Sequence, residues 1–205
     1  MDSHPENLSE AQQQINNKIT IDPQLLKHKE ELLNRFYQVT NDPDWLAILS
    51  EWPTTSIQQS VAREGIVIRT NNAKYVGETC NEMFHGYGLL IYDEPQNDRF
   101  YEGEFQNNCK HGSGFEYIRG DVYLGKFVNN KPEDSNGAFL WKNGDFFMGA
   151  FVNGMKHGEG RWESGEDYYE GTWKLNRPEG KGSIHTAVSD YEGEVKSGYK
   201  HGRGI

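Results

Sequence analysis

The chain has 205 residues, a net charge of −10, a mean hydropathy of −0.86 and 13 % aromatic residues. So acidic a surface repels nucleic acid and anionic headgroups unless its bases cluster, and nowhere are two Lys or Arg residues adjacent. No apolar run approaches the ~18 residues of a membrane span, and Met1 to Gln14 is too polar and acidic for a secretory or transit leader.

Residues 1–20 are rich in Gln, Asn and Glu and read as a flexible N-terminus. Asp22-Pro23 reads as an N-cap followed by proline at the first helical position. Leu25, Leu32, Phe36 and Val39 follow at helical spacing, and Asn41-Asp42-Pro43 ends the helix. A second short helix, Asp44 to Glu51, closes at Trp52-Pro53. Residues 21–62 are therefore expected to form a helical hairpin. Two roles stand open for it: a cap over the exposed edge of the sheet that follows, or a docking element with Trp45 and Trp52 as partner anchors.

Composition then changes abruptly. All 23 glycines fall between Gly65 and Gly204. From Tyr75 onward one phrase returns six times: an aromatic residue, any residue, glycine, then usually a glycine doublet about nine residues later. The starts are Tyr75, Tyr101, Tyr123, Phe147, Tyr169 and Tyr191, and the last copy is incomplete at Ile205. A period of twenty-odd residues marks a repeat architecture. Gly65 to Ile68, followed by Asn71-Asn72, reads as the second half of an earlier, worn repeat, so the repeat region is taken as 63–205.

Each repeat reads as a β-hairpin. In Tyr101-Glu102-Gly103-Glu104-Phe105 the alternation puts the rings and the glycine on one face and the glutamates on the other. Asn107-Asn108, Asn129-Asn130, Asn153-Gly154 and Ser197-Gly198 tolerate the positive φ of tight turns. Glycine inside a strand costs ~0.5–1 kcal/mol, and the usual reason for it is close approach of another group. The positions that carry this pattern are Tyr101, Gly103, Phe105, Tyr123, Gly125, Phe127, Phe147, Gly149, Phe151, Tyr169, Gly171 and Trp173. A ring from the adjacent hairpin is expected over each glycine. Irregularities are expected at the insertion Asp93 to Asp98, at Pro132 to Ser135, and at Ala187 to Asp190, where the Asn-Gly-Asp turn is lost.

Tyr101 to Phe105 with Lys110-His111-Gly112-Ser113-Gly114, Tyr169 to Trp173 with Gly180-Lys181-Gly182, and Tyr191 to Val195 with His201-Gly202-Arg203-Gly204 resemble MORN (membrane occupation and recognition nexus) repeats. The resemblance implies a mainly β fold, a single-layer, elongated antiparallel sheet of tandem hairpins, here preceded by a small helical segment. It implies a non-catalytic scaffold or adaptor that binds protein partners in a larger assembly, with a cytoskeletal or ciliary (axonemal) setting in the cytoplasm. The alternatives are a membrane-associated tether for acidic phospholipids and an accessory subunit of an enzyme complex. Against the tether, residues 65–205 hold 21 acids to 16 bases, although Lys110, Lys156, Lys200 and Lys181 stand where they could share an edge.

No catalytic set emerges. His85, His111, His157 and His201 occupy one register, one per hairpin, too far apart for a shared zinc with its ~2 Å bonds. No serine or cysteine sits in an activating motif. Cys80 and Cys109 read as free thiols in a reducing compartment, and no metal, cofactor or nucleic acid is expected.

Overall fold

In a computed structural model the described residues are 23–39, 66–93 and 98–205. The expected flexible N-terminus and second helix, with Trp45 and Trp52, lie outside them. Among the described residues one helix, α1 (Pro23–Val39), precedes one 14-stranded sheet. The strands are β1 (Ile66–Arg69), β2 (Ala73–Cys80), β3 (Met83–Tyr92), β4 (Arg99–Gln106), β5 (Cys109–Ile118), β6 (Asp121–Val128), β7 (Lys131–Pro132), β8 (Asp134–Leu140), β9 (Phe146–Val152), β10 (Met155–Ser164), β11 (Asp167–Lys174), β12 (Arg177–Thr186), β13 (Ser189–Lys196) and β14 (Tyr199–Gly204). Every pairing is antiparallel and between neighbours in sequence, save that β8 joins β6 directly while the short β7 pairs with β6 beside it. Pro132 has no N–H to continue the ladder, and the strand is split there, with a register shift between Asp134 and Gly137.

From β2 to β14, each strand except β7 contributes one glycine to a line running across the sheet. Gly77, Gly88, Gly103, Gly114 and Gly125 are successive register partners. Gly137, Gly149, Gly160, Gly171, Gly182, Gly193 and Gly204 continue the line. The rings over this line come from within each hairpin, which corrects the expectation of a neighbour's ring. A Cβ on Gly182 would lie 2.5 Å from the ring of Tyr169 on the paired strand, and one on Gly103 would lie 2.6 Å from the hydroxyl of Tyr101 two residues before it. The tyrosine lies flat along the sheet, and its hydroxyl donates to the carbonyl three residues on: Tyr101 to Glu104 at 2.9 Å, Tyr169 to Thr172 at 3.0 Å. Alternation decides which face a ring is on but not which way it leans; this hydrogen bond does.

The ring two positions past the glycine joins repeats. Tyr75 meets Phe105 edge-on at 5.2 Å, Phe105 meets Tyr101 at 5.0 Å, and Tyr101 meets Phe127 at 5.1 Å. Tyr123, Phe151, Phe147, Trp173 and Tyr169 extend the same alternation at 5.0–5.3 Å. Each edge-to-face pair adds ~0.5–1.5 kcal/mol beyond burial, so cohesion passes from repeat to repeat.

A second tie between repeats sits at the hairpin turns. The amide of Asn130 donates to the carbonyl of Lys110 (3.0 Å), and the Lys110 amide donates back to Asn130 Oδ1 (2.9 Å). Asn108 with Phe84 and Asn176 with Lys156 repeat this exchange. Where the earlier repeat has proline it has no amide to give, and the turn residue is then glycine: Gly154 donates to Pro132 O (2.8 Å) and Gly198 to Pro178 O (3.0 Å). The glutamate after each proline supplies the second bond, Glu133 accepting from Asn153 N and Glu179 from Ser197 N. The pairs Pro-Glu and x-Gly are thus one unit split over two repeats. Asn130→Gly keeps the left-handed backbone (φ +70° at Asn130) and removes only the acceptor; a loss of ~1 kcal/mol is expected in urea unfolding. Gly154→Asn gains nothing, because Pro132 has no amide to meet it.

The two faces are unlike. Opposite the tyrosines, Leu89, Phe100, Phe115, Tyr117, Val122, Leu124, Leu140 and Phe146 are buried under Leu32, Leu33 and Phe36 of α1. Lys29, within the helix's apolar stripe, places Nζ 2.6 Å from Glu102 Oε2, both side chains nearly free of water. Arg35 donates to the carbonyls of Gly120 (3.2 Å) and Trp141 (3.0 Å). The helix therefore covers a face of the central strands rather than the sheet's first edge. From β10 onward that face turns polar: Arg161 pairs with Glu163 and Glu170, and Tyr168 stacks on His185.

Candidate functional site

The tyrosine face has a repeated floor and variable walls. Of the positions singled out from sequence, Tyr101, Phe105, Tyr123, Phe127, Phe147, Phe151, Tyr169 and Trp173 are buried in the floor and Gly103, Gly125, Gly149 and Gly171 lie beneath it. The tyrosine hydroxyls are shielded too. Burial, helped by Glu159 and Glu179, pushes Tyr169 up to about 12, and burial raises Tyr75, Tyr101 and Tyr123 further. The floor is thus structural, un-ionised and mostly out of reach of solvent.

What differs between repeats lies above the floor, at three recurring places. They are the residue two before each repeat's first aromatic, the residue nine after that aromatic, and the residue six further on. In the first repeat these are Ala73, Phe84 and Leu90; in the second Arg99, Lys110 and Glu116; in the fourth Asp145, Lys156 and Trp162; in the fifth Asp167, Pro178 and Ile184. The second trio is a buried ion network: Lys110 is bonded to Glu116, and Arg99 Nη2 lies 3.4 Å from the same carboxylate. Burial pulls the Lys110 ammonium down from its usual range, and Glu116 opposes that. The fourth trio turns the lysine onto aromatic rings instead. The fifth has no lysine, and its place opens into a cleft of about 200 Å³ lined by Trp162, Asp167, Tyr169, Trp173, Pro178 and Ile184. Trp162 and Ile184 are its half-buried apolar walls.

Apart from Lys110 and Lys156, reading the sequence missed these residues. They lack the repeated identity that drew attention to the floor, and their common register emerges only once the pairing is known. A signal was nonetheless present: each stands at a fixed offset from a glycine and changes type from copy to copy, as a recognition position would.

The lysines do not line one edge. Lys110 Nζ lies 5.0 Å from the Tyr101 ring and Lys200 5.0 Å from Tyr191 in their own repeats, Lys156 lies between Phe147 (5.2 Å) and Trp173 of the next repeat (4.3 Å), and Lys181 belongs to the opposite face. The four histidines sit in separate strands, β3, β5, β10 and β14, and no group of three metal-ligating side chains meets among the described residues. No helix among them is long and apolar enough to cross a membrane.

Comparison with family models finds the MORN repeat at residues 101–121, 147–165, 169–187 and 191–205. The copies starting at Tyr75 and Tyr123, which carry the insertion and the split strand, fall outside the matched residues. No curated protein matches the chain.

Proposed function

Because this chain belongs to the MORN-repeat family, we propose that it is a non-catalytic scaffold that holds a protein partner on its tyrosine face. The observation that carries this is the cleft of the fifth repeat, where Pro178 stands in place of a lysine and Trp162 and Ile184 flank an aromatic floor. Half-buried aromatic and aliphatic side chains around a preformed cleft are what anchors in protein interfaces dock into. The occupant is an apolar side chain on a helix or extended segment of the partner. The wider assembly is cytoskeletal or ciliary in this reading, and Trp45 and Trp52 remain candidate anchors for a second contact.

The lipid-tether reading is weaker. An acidic leaflet attracts clustered Lys and Arg, and here the lysines of the tyrosine face are spent on rings and on Glu116. The test is photo-cross-linking in extract from the native source, with a benzophenone side chain placed at Ile184 or at Ser183, its neighbour on the other face. The expected result is protein adducts from position 184 and none shared with 183, together with no sedimentation on acidic liposomes. Salt-sensitive sedimentation on acidic but not neutral liposomes, with no protein adduct at 184, overturns the proposal in favour of the tether.

A further inference from the structure

Lys156 is set apart from the two other lysines of its register. Its Nζ lies 4.3 Å from the Trp173 ring, 5.0 Å from Trp141 and 5.2 Å from Phe147. Lys110 is bonded to the carboxylate of Glu116, six residues on in the same strand, and the residue at that position for Lys156 is Trp162. Lys200, in the sixth repeat, is exposed and lies over one ring, that of Tyr191. The ammonium of Lys156 is therefore held among aromatic carbon with no carboxylate bonded to it, and Asp145, at the turn before β9, is the charged group that acts on it from the surrounding elements.

Two effects compete there. Ring faces attract a cation, the more so as water is withdrawn, and withdrawal of water itself penalises the charged form. Burial prevails over Asp145 and brings the amine down to about 8. A lysine desolvated in this way is a nucleophile near neutral pH.

We propose that Lys156 is a reactive amine and a site of acylation by small acyl thioesters. The neutral Nζ attacks the thioester carbonyl, an N–C bond forms as the C–S bond breaks, and the amine's proton leaves with the departing thiolate as a thiol. The product is an uncharged amide, which suits the surrounding rings better than an ammonium does. Acylation also removes the cation resting on Trp173, the floor residue shared with the cleft of the fifth repeat, so it alters the wall between the fourth and fifth repeats without disturbing the glycine line.

The full-length chain is treated with the acetyl thioester of N-acetylcysteamine across pH 6.5–10, and acetyl-lysines are quantified by peptide mass spectrometry. Lys156 is expected to react at least tenfold faster at pH 7.5 than the exposed Lys126 and Lys174, because burial leaves a substantial share of its own amine neutral there, with a rate midpoint near pH 8. Trp162→Glu supplies the carboxylate that Lys110 already has and is expected to slow Lys156 to the rate of the exposed lysines. Trp162→Phe keeps the wall apolar, and Lys156 stays fast. The proposal is overturned if Lys156 in the wild-type chain reacts no faster than Lys126 and Lys174. It is overturned equally if Trp162→Glu, melting like wild type, leaves the rate unchanged.

Discussion

Replacing Glu102 by alanine is expected to lower stability by about 3–5 kcal/mol, because it strands the ammonium of Lys29 in the interface between α1 and the sheet. For a chain of this size that is a fall in melting temperature of roughly 10 °C, measurable by calorimetry. The sign of the paired experiment is the informative part. Taking two charges out of water costs several kcal/mol per ion, so removing both together, Lys29→Met with Glu102→Leu, is expected to restore most of the loss. Glu102 belongs to the tyrosine-Glu-Gly phrase, and Glu170 and Glu192 occupy the same place in later repeats. Only over the central strands does that glutamate meet a helix; Glu170 meets Arg161 at the surface instead (3.0 Å). Glu170→Ala should therefore change stability by less than ~1 kcal/mol.

The second large effect is expected at Gly103. A methyl group there would stand 2.5 Å from the carbonyl oxygen of Ser113 and 2.6 Å from Cα of Gly114. Both are backbone atoms of the paired strand, so relief requires the strands to part and not merely a side chain to turn. Tyr101, folded over the same pair of glycines, is displaced as well, and with it the ring contacts to Phe105 and Phe127. Gly103→Ala is expected to cost about 2–3 kcal/mol and to lower the melting temperature by roughly 5–10 °C. Gly165 sits in a turn with nothing within 4 Å and φ +61°, a conformation asparagine accepts; Gly165→Asn should change stability by only a few tenths of a kcal/mol. If Gly103→Ala melts like wild type, the glycine line is not the close-packed seam described above.

The hairpin register was legible in the sequence because glycine in a strand needs a reason, and the reason recurs at one spacing with an aromatic two residues before it. The helix's footprint was legible too, though less openly. Phe100-Tyr101 and Phe146-Phe147 put rings on both faces of a strand, whereas Asp190-Tyr191-Glu192 has polar residues on either side of its tyrosine. A strand apolar on both faces is covered on both, and α1 covers the first kind. The reciprocal bonds at the turns were harder to see. Pro132, Glu133 and Gly154 each look like local irregularities, and their dependence on one another spans about one repeat in sequence and appears only when β7 is placed beside the β9–β10 turn. The lysines were misread as an edge for a physical reason: their four-carbon stems reach back over the rings, and spacing along a strand says nothing of where a flexible chain lays its charge.

Variable positions above a fixed floor let the copies differ without altering the fold. The floor residues between Tyr75 and Trp173 hold the repeats to one another, and the position two before each first aromatic, the lysine-or-proline position and the Trp162-or-Ile184 position differ from copy to copy. Mutations in the floor are therefore expected to act on stability, and mutations in the walls on binding.

The most direct measurement compares two neighbouring residues of β12 that face opposite ways. Ile184→Glu charges the cleft wall on the tyrosine face, and Ser183→Glu adds the same charge to the polar face behind it. Both variants, checked for wild-type melting, are used as bait in extract from the native source, and the cross-linked partner is quantified. Loss of at least tenfold of that partner with Ile184→Glu and full retention with Ser183→Glu is the predicted result. Equal retention by both variants, or loss with Ser183→Glu alone, would contradict binding through the tyrosine face.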